Sequence, residues 1–292
     1  MRQPERIVRR AGPAIALIAS PHRKPMSASS LHAFLGAHRR LFVLTGAGCS
    51  TDSGIPDYRD AEGNWKRSAP VNFTTFIGSE AMRKRYWARS LAGWPRVQAA
   101  RPNAAHAALA HLEHQGRIEL LVTQNVDGLH QAAGSAQVID LHGRIDQVRC
   151  MRCARRMGRE TLQAELLRCN PLWIGAAARA APDGNADIEG LPFDQFVVPA
   201  CGHCGGVLKP DVVFFGESVP HERVEAAMSR LERTDALLVV GSSLMVYSGY
   251  RFAQAAAGLD IPIAAINLGR TRADGLLTLK VCEPCSAALA AL

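Results

Sequence analysis

The sequence predicts an α/β fold, a doubly wound parallel sheet into which a smaller metal-binding domain is inserted. Three observations carry this expectation. Short apolar runs at 41–44, 118–122, 138–141, 212–215, 236–240 and 263–266 alternate with helical segments, the signature of a Rossmann-like sheet covered on both faces. Each run leads into glycine or polar residues, and ligands of such sheets bind at the carboxyl ends of the strands. Two Cys-x-x-Cys pairs, Cys150/Cys153 and Cys201/Cys204, then interrupt the alternation. The expected division is a leader or disordered extension at 1–30 and one domain at 31–292. Within that domain, 31–145 and 207–292 form the sheet and 146–206 the inserted module.

Composition narrows the function classes. With 292 residues, 48% hydrophobic and 21% charged, the chain has the balance of a soluble globular protein. No run approaches the ~18 apolar residues of a membrane span. The formal net charge is +8, but +7 of it falls in residues 1–40. The remainder is nearly neutral, so a broad basic face for nucleic acid is not expected. Eight cysteines in so long a chain, several in close pairs, point to metal rather than to a disulfide framework, and to a reducing compartment.

Residues 1–30 are rich in Arg, Ala, Ser and Pro and nearly free of acid, as in a transit peptide; a disordered bacterial extension reads equally well. A short helix at 31–40 feeds the first strand, 41–44. The loop that follows opens with Gly46-Ala47-Gly48, where absent Cβ atoms let backbone N–H groups approach a phosphate. It continues through Ser50 and Ile55 to Asp57, Tyr58 and Arg59, and a guanidinium there is placed to meet a phosphate. Helices are expected at 81–94 and 102–113. The second strand runs into Gln124, Asn125, Val126 and Asp127, and the third ends at His142. Phe215-Gly216-Glu217, Gly241-Ser242-Ser243 and Asn267-Leu268-Gly269 close the later strands.

Cys150, Cys153, Cys201 and Cys204 predict one tetrahedral zinc site. The gap between the pairs is longer than in a compact ribbon, so the module carries an insertion. Four thiolates leave no open coordination position, and the zinc is expected to be structural. Arg149, Arg152, Arg155, Arg156 and Arg159 cluster beside the first pair, either to offset its charge or as a solvated basic face. His203 lies within a knuckle, and Cys282 and Cys285 form a further pair with no metal role expected.

Taken together, the ordered motifs resemble the sirtuins, NAD-dependent protein lysine deacylases, over about residues 31–292. The elements are Gly46-Ala47-Gly48 through Ile55-Pro56, Thr123 to Asp127, His142-Gly143, the four cysteines, Lys209 to Glu217, Gly241-Ser242-Ser243 and Asn267-Leu268-Gly269. Pro56-Asp57-Tyr58-Arg59, the long inter-cysteine segment and Tyr247 to Phe252 look like class II, similar to the mitochondrial fourth sirtuin of animals. The resemblance implies that NAD is a co-substrate, with nicotinamide leaving and the acyl group passing to ADP-ribose. It implies His142 as general base on a ribose hydroxyl, a task that suits neutral imidazole near pH 7. Asn125 and Asp127 would order ribose or water and hold the carboxamide, and Gln124 would meet ribose. Gly46, Ala47, Gly48, Ser50, Arg59, Gly241, Ser242 and Ser243 would serve phosphates and ribose. Ile55 and Tyr58 would bound the nicotinamide pocket, and Asp57 would be among the residues that bind the cofactor. Asn267, Leu268, Gly269 and Cys285 would serve the adenosine.

Val212, Val213, Phe214, Gly216 and Glu217 would offer a strand edge to an extended peptide. Tyr86 and Arg89, three apart on one helix face, match the position where some sirtuins bind an acyl carboxylate, so long or acidic acyl groups are expected; a structural helix pair is the other reading. Protein mono-ADP-ribosylation at the same NAD site is the alternative activity. Acylated-lysine proteins are the expected partners, with no direct nucleic acid or membrane, and the chain is expected to be a monomer. Its place would be bacterial cytoplasm or, in a eukaryote, the mitochondrial matrix.

Overall fold

The computed structural model describes residues 28–66, 70–173, 179–180, 183, 185–187 and 192–290. Nearly all of the 1–30 leader lies outside the described residues, as does most of the loop read near 181–190. In chain order the strands are β1 (Leu41–Thr45), β2 (Ile118–Thr123), β3 (Val138–Asp140), β4 (Gly143–Cys150), β5 (Arg156–Gly158), β6 (Arg179–Ala180), β7 (Ala186–Asp187), β8 (Leu208–Val212), β9 (Ala236–Val240), β10 (Ile263–Ile266) and β11 (Leu279–Val281). The helices are α1 (Ala28–Ala37), α2 (Phe73–Gly78), α3 (Glu80–Ala99), α4 (Ala104–His114), α5 (Leu129–Ala132), α6 (Arg159–Cys169), α7 (His221–Leu231), α8 (Tyr247–Gly258) and α9 (Cys285–Leu289).

Six strands form the main sheet in the order β11-β10-β9-β1-β2-β3, with every pairing parallel. The chain winds outward from β1 to β3, then returns to lay β9 against the other side of β1. The winding therefore reverses between β1 and β9, whose residues pair from Leu41↔Ala236 to Thr45↔Val240. A crevice opens at such a reversal, outside the strand ends.

β1 is buried along its whole length because helices cover both faces. Its side chains alternate between two cores. Leu41 and Val43 pack with Leu31 and Leu35 of α1, Leu109 and Leu112 of α4 and Ala288 of α9. Phe42 and Leu44 face Ala227 and Leu231 of α7 and Phe252 and Ala256 of α8. Each such side chain removed from water contributes about 1.5–3 kcal/mol, which locks the orientation of β1 and therefore of the loop that follows it.

A third core joins α2 and α3 to the cysteine segment: Phe76, Trp87 and Leu91 pack with Val148, Leu162, Leu166, Phe196 and Leu208. Ser79 caps α3, its hydroxyl accepting from Met82 N at 3.3 Å. The expected helix 81–94 runs on to Ala99 through Pro95. Proline has no N–H for the carbonyl four residues back, and that carbonyl, Leu91 O, instead accepts from the Gln163 side chain at 3.0 Å. A contact from α6 thus replaces the bond the sequence could not supply.

The run at 212–215 also departs from expectation. The strand is β8, it ends at Val212, and it belongs to a separate antiparallel sheet of order β5-β4-β8. Pro210 fits there because β8 is an edge strand. Beyond it the chain turns: Glu217 N donates to Phe214 O at 3.0 Å and Gly216 takes φ 78°. Arg159 departs likewise. It is not on a solvated face but 1% exposed, with its guanidinium over the rings of Trp87 and Trp94 and donating to Ser90 Oγ at 3.2 Å.

Candidate active site

The glycines after β1 are required by how closely two loops cross. Gly46 N donates to Val240 O at 3.0 Å and Gly48 N to Gly241 O at 2.8 Å, carrying the β1–β9 pairing past the strand ends. A Cβ on Gly46 would lie 2.8 Å from Ser242 Cβ, and one on Gly241 would lie 2.2 Å from Cys49 N. Gly241 also sits at φ 64°, in the left-handed region. Above this crossing is a cavity of about 980 Å³, large enough for a dinucleotide and a side chain together.

Gln124, Asn125 and Asp127 enter the cavity from the end of β2. The Asn125 amide donates to Gly46 O at 3.1 Å and to Ser50 Oγ at 3.0 Å. Both its N–H groups are then committed, so Oδ1 is what it offers a ligand. The Ser50 hydroxyl passes its own proton to Asp127 Oδ2 at 2.7 Å, and Asp127 Oδ1 accepts from Leu129 N at 2.9 Å. Gln124 Oε1 accepts from Ser242 Oγ at 2.6 Å. This chain of bonds ties the β2 end to the loops after β1 and β9.

His142 stands between β3 and β4. Its Nδ1 lies 2.8 Å from Gln124 O, and its Nε2 2.8 Å from Ser248 Oγ. A carbonyl can only accept, so Nδ1 carries the proton and Nε2 presents a lone pair. Burial holds His142 below the usual histidine range against the Gln124 carbonyl, and the charges of Arg223 and Arg251 add to the depression. The imidazole is therefore neutral at pH 7, with its basic nitrogen fixed.

Ile55, Asp57, Tyr58 and Arg59 form one wall of the cavity. The Arg59 guanidinium stacks 3.9 Å over the Trp65 ring and donates to Gly63 O at 2.6 Å. Trp65 packs edge-on against Phe215, 5.5 Å between centroids, so the loop after β1 touches the turn after β8. Beyond β10, Arg270 N donates to Ala61 O at 2.7 Å, and Asn267, Leu268, Gly269 and Cys285 line the cavity with Ala47, Gly48 and Ser243. Gly249 makes room for Gln124: a Cβ there would meet its Nε2 at 2.5 Å.

Val212, Val213, Phe214, Gly216 and Glu217 line the opposite wall. Val213 N donates to His142 O at 2.8 Å, which sets this turn beside the histidine. Tyr86 also lines the cavity, packed edge-on against Phe76 and tilted on Phe214; Arg89, one turn along α3, does not. Burial pushes the Tyr86 phenol up, and the Asp183 carboxylate pushes it further. Asp183, Trp65 and Ser248 also line the cavity and Lys209 braces its wall; the sequence reading gives Lys209 and Ser248 no role beyond their motifs and does not name Asp183 or Trp65. A lone Lys209 between Leu208 and Pro210 is the one such signal the sequence carries; Asp183, in an irregular loop, gives none.

The four cysteines come together away from the cavity, all sulfurs within 4.8 Å of one another. Cys150 and Cys204 are 3.5 Å apart and Cys153 and Cys201 3.8 Å, close to the ~3.75 Å edge of a tetrahedron built on zinc–sulfur bonds of about 2.3 Å. Backbone N–H groups of Cys153 and Arg152 draw the Cys150 thiol down to about 6, while burial and neighbouring sulfurs drive Cys204 up to about 12. Four sulfurs so close can ionise together only around a cation, and the set fits Zn²⁺. Gly206 is part of the fit, because a Cβ there would stand 2.8 Å from Cys150 Sγ. His203 and the Cys282/Cys285 pair do not join this cluster.

Comparison with known proteins agrees with this geometry. The profile of the Sir2 family matches residues 46–248. An NAD-dependent protein deacetylase of Xanthomonas campestris pv. campestris (strain 8004) is 65% identical over 263 residues, 90% of each chain. The NAD-dependent protein deacylase Sirt4 of Drosophila melanogaster is 44% identical over 271 residues, 91% of this chain and 87% of that one. A solved Sir2 complex with a p53 peptide and NAD⁺ superposes with a TM-score of 0.71 at 30% identity, covering 90% of this chain and 96% of that one. The motifs, the strand order and these matches agree that the chain belongs to the Sir2 family, the sirtuins.

Proposed function

We propose that the protein is an NAD-dependent protein-lysine deacylase. The observation that carries the reading is one cavity shared by the β1–β9 glycine crossing, the Gln124–Asp127 segment, the turn after β8 and His142 with its lone pair fixed on Nε2. NAD supplies the nicotinamide leaving group and the ribose carbon that receives the acyl oxygen. His142 Nε2 takes the proton from a ribose hydroxyl, which displaces the Ser248 hydroxyl from that nitrogen, while Gln124 O holds the ring through Nδ1. Asn125 Oδ1 and Asp127, braced by Ser50, orient ribose and carboxamide; Arg59 and the glycine loops meet the phosphates. Extended peptide lies along Val212 to Glu217 with its acyl-lysine reaching toward His142. Cys150, Cys153, Cys201 and Cys204 would hold a zinc ion without leaving a position for substrate, so its role would be structural. In this reading 146–206 is the inserted module between sheet segments 31–145 and 207–292, the chain acts as a monomer, and its site is the cytoplasm if it is bacterial, like the relatives at 65% identity.

For the acyl group we infer a preference for long or acidic chains. Tyr86 lines the cavity, and the Arg89 charge lies near enough to act on its phenol. Asp183 lines the same cavity and opposes an acidic group. A panel of acetyl, medium-chain and glutaryl peptides, run on wild type and Arg89→Ala, tests this. Selective loss on glutaryl peptide supports the acidic preference, and equal loss on all peptides removes it. Product analysis in the same assay separates O-acyl-ADP-ribose from ADP-ribosylated protein.

A further inference from the structure

Beneath the Ser50–Asp127 bond lies a cluster to which no role has been given. Cys49, His106 and His130 come from three elements, the turn Ala47–Cys49, α4 and α5. They are between 0% and 1% exposed, and their donor atoms lie within 4.8 Å of one another. His130 Nε2 is 2.8 Å from Thr45 Oγ1, whose own proton goes to Thr123 Oγ1 at 2.8 Å. Nε2 therefore carries the ring proton, and Nδ1 presents a lone pair. That Nδ1 has no hydrogen-bond partner among the described residues, and neither has His106 Nε2. A buried polar atom left unpaired costs about 1–3 kcal/mol, so two beside a thiol are an arrangement that a ligand would relieve.

We propose that Cys49, His106 and His130 form a second metal site, distinct from the four-cysteine site, for a thiophilic borderline ion of the Zn²⁺ type. A thiolate with two imidazoles is a donor set such ions favour. His130 already has the outer bond typical of a metal-bound imidazole, its far N–H held by Thr45. Bond lengths of about 2.3 Å to sulfur and 2.0–2.1 Å to nitrogen place tetrahedral donors about 3.3–3.6 Å apart. The side chains therefore close by about 1 Å on binding, and the thiol proton leaves to solvent. His106 gives up one contact, the 3.3 Å approach of Asn103 N–H to Nδ1, because the ring proton then sits on Nδ1. The Asn103 cap of α4 keeps its bonds from Ala105 N and His106 N to Oδ1, at 2.9 and 3.4 Å. Cys49 is flanked by Gly48 and Ser50, so the ion ties the NAD loop to α4 and α5.

Zinc is counted per chain after dialysis of the full-length protein against buffered free Zn²⁺, for wild type and Cys49→Val, which fills the same apolar space. Wild type is expected to retain one ion more than the variant. Equal zinc in the two, at either level, overturns the site. Should Cys49→Val fail to fold, wild type carrying one zinc is titrated with Co²⁺. A rise in the thiolate-to-cobalt charge-transfer band supports the proposal, and cobalt uptake without that band, or no uptake, overturns it.

Discussion

The turn after β8, proposed above to hold the peptide, hangs on one largely buried ion pair. Lys209 Nζ lies 3.0 Å from Glu217 Oε2, with the two side chains 5% and 24% exposed. The same carboxylate oxygen accepts from Phe214 N at 2.9 Å, and Lys209 also donates to Val212 O and sits 4.6 Å from the Phe214 ring centre. Lys209→Met keeps the aliphatic stem and removes the charge. Breaking a fully buried pair from one side costs about 3–5 kcal/mol. Glu217 keeps a quarter of its surface in water, so the loss here is about 2–3 kcal/mol, which for a chain of this size lowers Tm by roughly 4–10 °C. Double Lys209→Met, Glu217→Gln substitution should recover part of that loss, with a coupling energy of at least about 1 kcal/mol. Denaturant melts of the four proteins measure it, and Michaelis kinetics should show KM for acyl-peptide rising more than KM for NAD. Additivity within about 0.5 kcal/mol, or equal rises in the two KM values, would refute the claim that this pair holds the peptide turn.

Gly241→Ala should lower NAD affinity at least tenfold by titration calorimetry, because its Cβ would stand 2.2 Å from Cys49 N at φ 64°; unchanged affinity would mean that the loop crossing does not build the site. If His142 is the neutral base proposed above, the acid limb of kcat/KM should fall with one proton at a midpoint below the ordinary histidine value of about 6.5, because burial depresses it. The same depression makes the unfolded chain bind that proton more readily. Its stability contribution is therefore full above about 6.5 and lost as pH falls through the lowered folded value, a slope that His142→Ala should reduce in melts across that window. Cys150→Ser should abolish the four-thiolate zinc and lower Tm; an unaltered metal content would contradict the assignment.

Much of the site was legible because strand ends announce themselves. The six apolar runs and the polar residues after five of them place Gly46, Gln124, Asn125, Asp127, His142, Ser242 and Asn267 at one edge of a parallel sheet. The sequence does not reveal which strands are neighbours, and the β1–β9 crossing that forces Gly46, Gly48 and Gly241 is a tertiary fact. Pro95 read as a helix end because its lost hydrogen bond is replaced by Gln163, some seventy residues away. The strand expected at 212–215 turned out to be the end of β8 plus a turn, because Gly216 and the Glu217 carboxylate favour the turn over continued pairing. Arg159 looked like part of a surface cluster; two tryptophans on α3 bury it, and nothing local signals that.

The most direct test of the deacylase reading is nicotinamide release from NAD with and without an acyl-lysine peptide. A deacylase should release nicotinamide only with the peptide, form equimolar O-acyl-ADP-ribose, and lose acyl transfer in His142→Ala while the fold is kept. Release independent of acyl-lysine, or full acyl transfer by His142→Ala, would contradict that reading.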